Sequence, residues 1–520
     1  MNRLFKRSLF LLLILCVAVF TIMACTPEQD GPSADTTVAS VETTAVETTP
    51  ETEPETIPTT EPETVPETEP ETVPETEPET TGPNYLELPY AKKPGDLSIC
   101  GVSIEEYVIV IPETCDLYTL YAAKNLSEHL KKYGDITLNI VTDDVAERTY
   151  ELVIGNTNRA GSARAAAVEL EADEYILMMD DESVIMWGES YMVGGGAGVF
   201  ATRYAAGAWR GYDINITTIP TEAAPTKFVF EEARSAILMI GDGMGKNQVE
   251  MTLSGGLDKF CAYDMPNISE IVTRSQCVIN GVADATDSAA SGTALATGFK
   301  TTNGFVGVDP AGRTLLNVRE LAYASGAKTA VLTTDDITGA TPGAFLAHVN
   351  SRGNTTAISQ AAKDLVNQGE VAIAKGSLGD GTLMFWTQKA LNNVSTNDSS
   401  FFVMIEEGYI DKNAHNNDSK GVMHTVTRFN EVIAYCMEFV LFHPDTVLIV
   451  TADHETGGIQ PIGNTGRFKF TTGNHTNVNV PIYAMGYGTE YFSEKHENTR
   501  VPVFIASIFS DEPFGDPQYN

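Results

Sequence analysis

The sequence predicts a doubly wound α/β domain with a largely parallel sheet, preceded by a small α/β domain and a disordered linker. Four continuous apolar runs indicate the main sheet, because strands that are covered by helices on both faces lack a polar side. These runs span 235–240, 329–332, 401–405 and 446–450. At 520 residues, the chain is long enough for two or three domains.

Residues 1–24 have the features of a secretion signal. Arg3, Lys6 and Arg7 precede an apolar run over 9–22. A transmembrane anchor is the alternative, but the run is shorter than the roughly 20 residues that a spanning helix needs. The run ends Ile-Met-Ala-Cys25, which resembles a bacterial lipobox. This resemblance implies a lipid on Cys25 that holds the exported protein on the outer face of the cytoplasmic membrane.

Residues 25–94 form a Glu/Pro/Thr-rich segment that we expect to be disordered. Between Glu28 and Glu79 there are 16 acidic residues and no Lys or Arg, so this segment carries −16 of the net charge of −37. Frequent proline blocks helices and sheets, and like charges repel, so an extended spacer is expected. The negative charge also argues against nucleic-acid binding.

Residues 95–222 alternate strand and helix patterns and predict the small α/β domain. A helix is expected over 117–133 with His129 on its solvated side, and the cluster Gly194–Gly198 opens a last helix. This cluster lacks the order of a dinucleotide-binding fingerprint. The pattern, with 154–159, resembles the small α/β domain that precedes some glycoside hydrolase barrels. The resemblance implies a non-catalytic spacer or a module that contacts cell wall or carbohydrate.

The region 232–520 delivers acidic residues to one edge of its sheet. Asp242, Glu406 and Asp453 lie within three residues of the ends of apolar runs, and ligands of such sheets bind beyond the carboxyl ends of the strands. Converging carboxylates repel one another unless cations lie between them. A divalent metal site is therefore expected. The glycine loop 241–246 lacks the P-loop spacing.

Histidines strengthen the metal prediction. His454 follows Asp453, His475 lies in Gly-Asn-His-Thr, and His415 stands four residues after Asp411, on the same helix face. Mixed imidazole and carboxylate ligands suit zinc, and oxygen ligands suit magnesium.

The pair Asp287-Ser288 precedes a run of small helix-forming residues. Ser288 is therefore expected at a helix N-terminus, where free N–H groups and the helix dipole suit an anion. An ordinary helix cap is the alternative interpretation of these residues alone.

Over residues 235–486 the chain resembles the alkaline phosphatases. The motifs are Gly-Asp-Gly-Met-Gly at 241–245, Thr-Asp-Ser-Ala-Ala-Ser-Gly-Thr-Ala at 286–294, Ala-Thr-Pro at 340–342, Ala-His-Val-Asn-Ser-Arg at 347–352, Ile-Asp at 410–411 with His415, Thr-Ala-Asp-His-Glu-Thr-Gly-Gly at 451–458 and Asn-His-Thr at 474–476. The resemblance implies hydrolysis of small phosphate monoesters outside the cytoplasm, through a phosphoserine on Ser288.

The resemblance also implies the roles of the site residues. Asp411, His415 and His475 would bind one zinc ion, and Asp242, Asp453 and His454 a second. Asp242, Thr341 and Glu406 would hold magnesium. Arg352 would grip the phosphate, with Asp287 and Lys412 also at the substrate.

Two departures from the family stand out. Gly339 replaces a common Asp or His, so we expect weaker magnesium binding and a Lys412 that is freer to meet the phosphate. The alternative is that another residue, Asp335 or Asp336, fills the gap. Only 48 residues separate Arg352 from Phe401, where many relatives have a long insertion, so an open site is expected.

Three alternatives remain beside this interpretation. A related phosphodiesterase or sulfatase is the enzymatic one, and a surface-binding lipoprotein with a degenerate phosphatase fold is the non-enzymatic one. The oligomeric state is open, a homodimer included. Cys100 with Cys115, and Cys261 with Cys277, either pair or remain free thiols.

Overall fold

The structure is a computed structural model that describes residues 88–279, 282–379, 381–396 and 399–519. The predicted signal peptide, the predicted lipidation site Cys25 and the part of the expected linker up to residue 87 lie outside the described residues. All described residues belong to one compact unit.

The first part of this unit is a six-stranded sheet with a short three-stranded sheet beside it. Its strands are β1 Leu97–Ile99, β2 Val102–Ser103, β3 Val108–Ile111, β4 Ile140–Thr142, β5 Glu151–Ile154, β6 Glu174–Asp180, β7 Ser183–Gly188, β8 Ile214–Ile216 and β9 Thr226–Lys227. Its helices are α1 Leu117–Gly134, α2 Ala160–Ala165, α3 Val193–Val199 and α4 Ala206–Trp209. The large sheet has the order β4-β3-β5-β7-β6-β9 and the small one β2-β1-β8.

Helix α1 begins at Asp116, whose side chain accepts a hydrogen bond from Thr119 N. Its His129 is buried, so the prediction of a solvated side chain was wrong. The imidazole packs among the rings of Tyr133, Trp209 and Phe442. Phe442 directly follows the helix Ser419–Leu441 of the second part. This part of the molecule therefore covers the side of α1 that carries His129, which the sequence pattern of α1 predicts to be polar and exposed.

The second part is built on an eight-stranded mixed sheet. Its strands are β10 Ser235–Gly241, β11 Asn267–Val272, β12 Val278–Ile279, β13 Val282–Ala283, β14 Lys328–Thr333, β15 Ile373–Lys375, β16 Phe401–Glu407, β17 Thr446–Thr451, β18 Glu455–Thr456, β19 Gln460–Pro461, β20 Phe468–Lys469, β21 His475–Thr476, β22 Val480–Met485 and β23 His496–Glu497. Its helices are α5 Lys246–Ser254, α6 Ser288–Thr297, α7 Val318–Ala324, α8 Ala340–Leu346, α9 Thr355–Gln368, α10 Thr382–Val394, α11 Tyr409–His415, α12 Ser419–Leu441 and α13 Arg500–Phe509.

The large sheet of this part has the order β15-β14-β16-β10-β17-β22-β11-β23. The five neighbouring strands β15, β14, β16, β10 and β17 run parallel to one another. Strand β22 pairs antiparallel with both of its neighbours, β17 and β11. Every residue of β10, β16 and β17 is buried. The predicted doubly wound, largely parallel fold is therefore confirmed, and its continuous apolar strands are the central ones.

Helix α3 crosses α12 at very short range because its glycines have no side chain. A Cβ on Gly194 would lie 1.7 Å from Glu438 Oε2, and one on Gly198 would lie 2.2 Å from the carbonyl oxygen of Leu441. The glycine cluster thus serves helix packing between the two sheets.

The cysteines and the lengths of the helices bear on two expectations from the sequence, the possible disulfide pairs and a membrane-spanning segment. The cysteines of the described residues are free thiols: Cys100, Cys115, Cys261, Cys277 and Cys436. Within the residues that the structure describes, no helix has both the length and the apolar character needed to cross a bilayer.

Candidate active site

Four adjacent parallel strands bring the predicted acidic residues to one edge of the large sheet. In the order β14-β16-β10-β17, β16 carries Glu406, while Asp242 follows β10 and Asp453 follows β17 by two residues. The register pairs Ile240 with Glu406 on one side and with Thr451 on the other. Parallel direction therefore places the three carboxylates at the same end of the sheet.

Helix α6 begins at Ser288 and points its N-terminus at this edge. Asp287 is its cap: Oδ1 accepts from Ala290 N at 2.9 Å. The other oxygen of Asp287 accepts from Gly304 N at 3.0 Å and from Arg352 Nη1 at 3.1 Å. The two interpretations of the Asp287-Ser288 pair, a helix cap and a functional site, are therefore compatible. Asp287 caps the helix and at the same time orients Arg352 beside Ser288.

Asp411, His415 and His475 form the first group that could hold a metal ion, with ligand atoms within 4.8 Å of one another. Helix α11 supplies Asp411 and His415, and β21 supplies His475. The Nδ1 atoms of the two rings lie 2.6 Å from the carbonyl oxygen of Gly473 and 2.8 Å from that of Thr286. Each Nδ1–H therefore donates to a carbonyl, which leaves the Nε2 atoms, 3.1 Å apart, facing the site.

Asp242, Asp453 and His454 form the second such group. His454 Nε2 lies 3.2 Å from Ser288 Oγ, 3.1 Å from Asp453 Oδ2 and 3.6 Å from Asp242 Oδ1. Among the described residues, these two carboxylate oxygens accept no hydrogen bond although they are buried. Buried oxygens without donors are costly, so the arrangement suits a cation between them and Ser288.

Thr341 and Glu406, predicted with Asp242 to hold magnesium, are both buried. Thr341 lies on α8, which approaches α6 so closely that a Cβ on Gly292 would be 3.2 Å from Thr341 Cα. Thr333 donates a hydrogen bond from its hydroxyl to Glu406 Oε2. Oxygen atoms therefore dominate this side of the site.

The electrostatics show how much the acidic residues repel one another. Burial, followed by the charges of Asp453, Asp411 and Glu406, raises the pKa of Asp242 well above its usual value. Burial likewise raises the pKa of Asp453 to about 7 and that of Glu406 to about 8. Divalent cations would reverse these shifts, because an adjacent positive charge favours the ionised form.

The first group behaves differently because its imidazoles already neutralise its carboxylate. Although burial opposes it, contacts with His415 and His475 hold the pKa of Asp411 below its usual range. The contact with Asp411 in turn raises the pKa of His415 to about 9. Burial lowers the pKa of His454 well below normal, so that imidazole is neutral and able to bind a metal.

Lys412 is not free, which corrects one expectation. We expected that Gly339 would leave this ammonium freer to meet the phosphate, but it forms an ion pair with Asp335 Oδ1, one of the two residues named as able to fill the gap. The ring of Tyr409 lies 4.6 Å from Lys412 Nζ. A neighbouring carboxylate has therefore taken the place that a side chain at 339 would fill.

The glycine loop after β10 has a purpose that the structure makes clear. Gly243 has φ +74, and its N–H donates to Asp453 Oδ1 at 3.0 Å. A Cβ there would lie 2.9 Å from Asp411 Cα and 2.9 Å from Thr456 Oγ1. The loop therefore lets the two groups of metal-ligating residues approach each other.

Two contributors were missed by the sequence analysis. Thr456 donates to Asp411 Oδ1 at 2.5 Å and lies 3.2 Å from His454 Nδ1, so it connects the two groups. Its signal was its place in the motif at 451–458. Asp335 closely follows the apolar run 329–332, so its place at the sheet edge had a signal, but its pairing with Lys412, which is distant in sequence, did not.

Comparison with known proteins finds similarity to alkaline phosphatases. Residues 233–375 and 365–469 match the family model described as alkaline phosphatase. Alkaline phosphatase 4 of Bacillus subtilis (strain 168) is 29% identical over 324 residues, which cover 50% of this chain and 69% of the relative. Alkaline phosphatase 3 of the same organism is 25% identical over 327 residues, covering 51% of this chain and 68% of the relative.

Among solved structures, this chain is similar to alkaline phosphatase from the Antarctic bacterium TAB5. The two chains have 25% sequence identity and a TM-score of 0.49, and the match covers 54% of this chain and 98% of that chain. The family match covers all the site residues described above except His475, which follows the matched residues.

Proposed function

We propose, from the premise that this chain is a phosphatase hydrolase related to the alkaline phosphatases, that it hydrolyses phosphate monoesters through a phosphoserine on Ser288. The observation that carries the proposal is the position of Ser288. Its hydroxyl stands at the start of α6, 3.2 Å from His454 Nε2, with Arg352 oriented by the same Asp287 that caps the helix. A nucleophile, an anion-binding helix end and an arginine together suit the transfer of a phosphoryl group.

In the proposed first step, Ser288 Oγ attacks phosphorus and the bond to the alcohol oxygen breaks. The N-terminus of α6 and the guanidinium of Arg352 stabilise the equatorial oxygens of the transferring group. Water then attacks the phosphoserine, the bond to Oγ breaks, and inorganic phosphate and the serine hydroxyl are regenerated. Asp287 keeps Arg352 in place through both displacements.

The residues fit two zinc ions and one magnesium ion. Asp411, His415 and His475 would hold one zinc ion, while Asp242, Asp453 and His454 would hold the other. Asp242, Thr341 and Glu406 would hold magnesium. When bound, such ions would supply stabilisation of the attacking and leaving oxygens. The buried, unpaired oxygens of Asp242 and Asp453 support this assignment because they need a cation.

An assay with three substrates tests the proposal against its enzymatic alternatives. We expect the zinc- and magnesium-loaded protein to hydrolyse p-nitrophenyl phosphate at alkaline pH, and to prefer it by at least about 10²-fold in kcat/KM over bis-p-nitrophenyl phosphate and p-nitrophenyl sulfate. The diester has one free oxygen fewer for the donors of Arg352 and the α6 N-terminus, and the sulfate carries one negative charge where the phosphate at alkaline pH carries two. Each lost charged contact costs about tenfold or more. A preference for the diester or the sulfate would contradict the proposal, and no hydrolysis of any of them would favour a binding protein.

We also propose that the protein is exported and held at the cell surface by a lipid on Cys25, with the low-complexity residues 26–83 as a spacer. Cys25→Ser should release the protein from membranes into a detergent-free supernatant, because a thioether-linked lipid would have no attachment point. Fractionation with immunoblotting measures this, with Cys100→Ser as the control that stays bound. Retention of Cys25→Ser on membranes would show another means of attachment.

A further inference from the structure

The loop after β14 carries a carboxylate that the proposed chemistry does not use. Asp335 lies two residues after this strand, which is the neighbour of the strand that bears Glu406. Its N–H donates to Thr333 Oγ1 at 2.9 Å, and the same hydroxyl donates to Glu406. Asp335 is thus attached to the framework of the site without belonging to either group of metal-ligating residues.

The carboxylate of Asp335 binds Lys412, the residue next to Asp411. The ammonium is held between Asp335 Oδ1 and the face of Tyr409, whose ring centroid is 4.6 Å from Nζ. Both charged side chains are partly buried, with 41% of Lys412 and 27% of Asp335 exposed. A second cation of the site, Arg352, is held in the same way by Asp287.

Gly339 and Gly408 lie close to the side chain of Asp335 and leave space for it because they have no side chains. A Cβ on Gly339 would lie 3.0 Å from Asp335 Oδ2, and one on Gly408 would lie 2.9 Å from Asp335 Cβ. Side chains at these positions would push Asp335 away from Lys412. The space left by Gly339 is therefore occupied by the carboxylate and not open.

We propose that Asp335 is a positioning residue that holds the ammonium of Lys412 away from direct contact with phosphate, so that the product is released and not retained. The inference rests on the proposed function, because it takes phosphate to be the product. Lys412 is one residue from Asp411 and partly exposed, so without its partner the ammonium would be able to turn towards a phosphate bound in the site.

The test is phosphate binding to the full chain loaded with zinc and magnesium, measured by equilibrium dialysis and by product inhibition. Asp335→Asn keeps the shape of the side chain and removes its charge. We expect it to bind inorganic phosphate about three- to tenfold more tightly, since a freed ammonium gains a charge-assisted hydrogen bond that is partly screened by water. KM and kcat should fall together as product release slows.

Two comparisons make the test specific. Asp336→Asn is the matched control, because this carboxylate bonds to Thr338 in the same loop and feels the charge of Lys412 only as the smallest of the effects that lower its pKa. It should leave phosphate affinity unchanged. In a Lys412→Ala background, Asp335→Asn should have no effect on phosphate affinity, as expected if it acts through that ammonium.

Either of two results would overturn the inference. One is an Asp335→Asn protein with unchanged or weaker phosphate binding, and the other is an effect that persists in the Lys412→Ala background, as a general disturbance of the fold would produce. A wild-type protein that binds no phosphate at all would instead contradict the proposed function.

Discussion

Ser288→Ala is expected to lower kcat by at least about 10³-fold, because removal of a nucleophile leaves only the binding groups to act. The loss should be specific to chemistry. Ser288 contributes one hydroxyl at the start of α6, and the cap of that helix belongs to Asp287, so the fold and the metal-ligating residues should persist. Steady-state kinetics with p-nitrophenyl phosphate, together with the zinc content, measures both.

The matched control is Ser507→Ala, which removes an exposed hydroxyl from α13 that bonds only to the carbonyl oxygen of Phe504. It should keep full activity. Acid quenching with labelled substrate should trap a phosphoprotein from the wild type and from Ser507→Ala but not from Ser288→Ala. Full activity of Ser288→Ala would exclude a phosphoserine mechanism.

Gly243→Ala is expected to weaken zinc binding by about 10–100-fold, which is the usual cost of disturbing the groups that orient metal ligands. The added methyl would lie 2.9 Å from Asp411 Cα, which is backbone and cannot move alone, and 2.9 Å from Thr456 Oγ1. It would therefore push the two groups of metal-ligating residues apart. Competition with a chromophoric chelator measures zinc affinity in each variant.

Gly312→Ala separates this contact from backbone strain. Gly312 has φ +77, close to the +74 of Gly243, but a Cβ there meets nothing within 4 Å. Both variants should lose about 1–2 kcal/mol of stability from the left-handed conformation. Only Gly243→Ala should lose zinc affinity. Equal zinc affinity in the two variants would show that the loop has room for a side chain.

Much of the site could be predicted because parallel strands end at one edge. The apolar runs before Asp242, Glu406 and Asp453 were enough to expect three converging carboxylates, and the structure places them at one end of adjacent strands. The spacing of Asp411 and His415 similarly placed both on one face of a helix. These predictions depend on local periodicity and on one general rule of sheet topology.

Other features could not be predicted because they depend on how segments meet. The ion pair of Asp335 with Lys412 joins residues 77 positions apart, and it depends on the path of the loop around Gly339. His129 was expected to be solvated because its own helix pattern is polar there, whereas Phe442 and Trp209 from other elements cover it. In both places a distant partner decides the environment of the side chain.

Helix α12 has a consequence for the cooperativity of the whole molecule. One of its sides packs towards the catalytic sheet, and the other meets α1, where Tyr121 and Tyr435 make an edge contact at 5.6 Å, and the glycines of α3. From Val432 to Leu441 every residue of α12 is buried. Melting of the first sheet would therefore expose the apolar back of the catalytic part, and the two sheets should lose their structure in a single transition. The first part of the chain thus contributes to the persistence of the active site although it supplies none of its ligands.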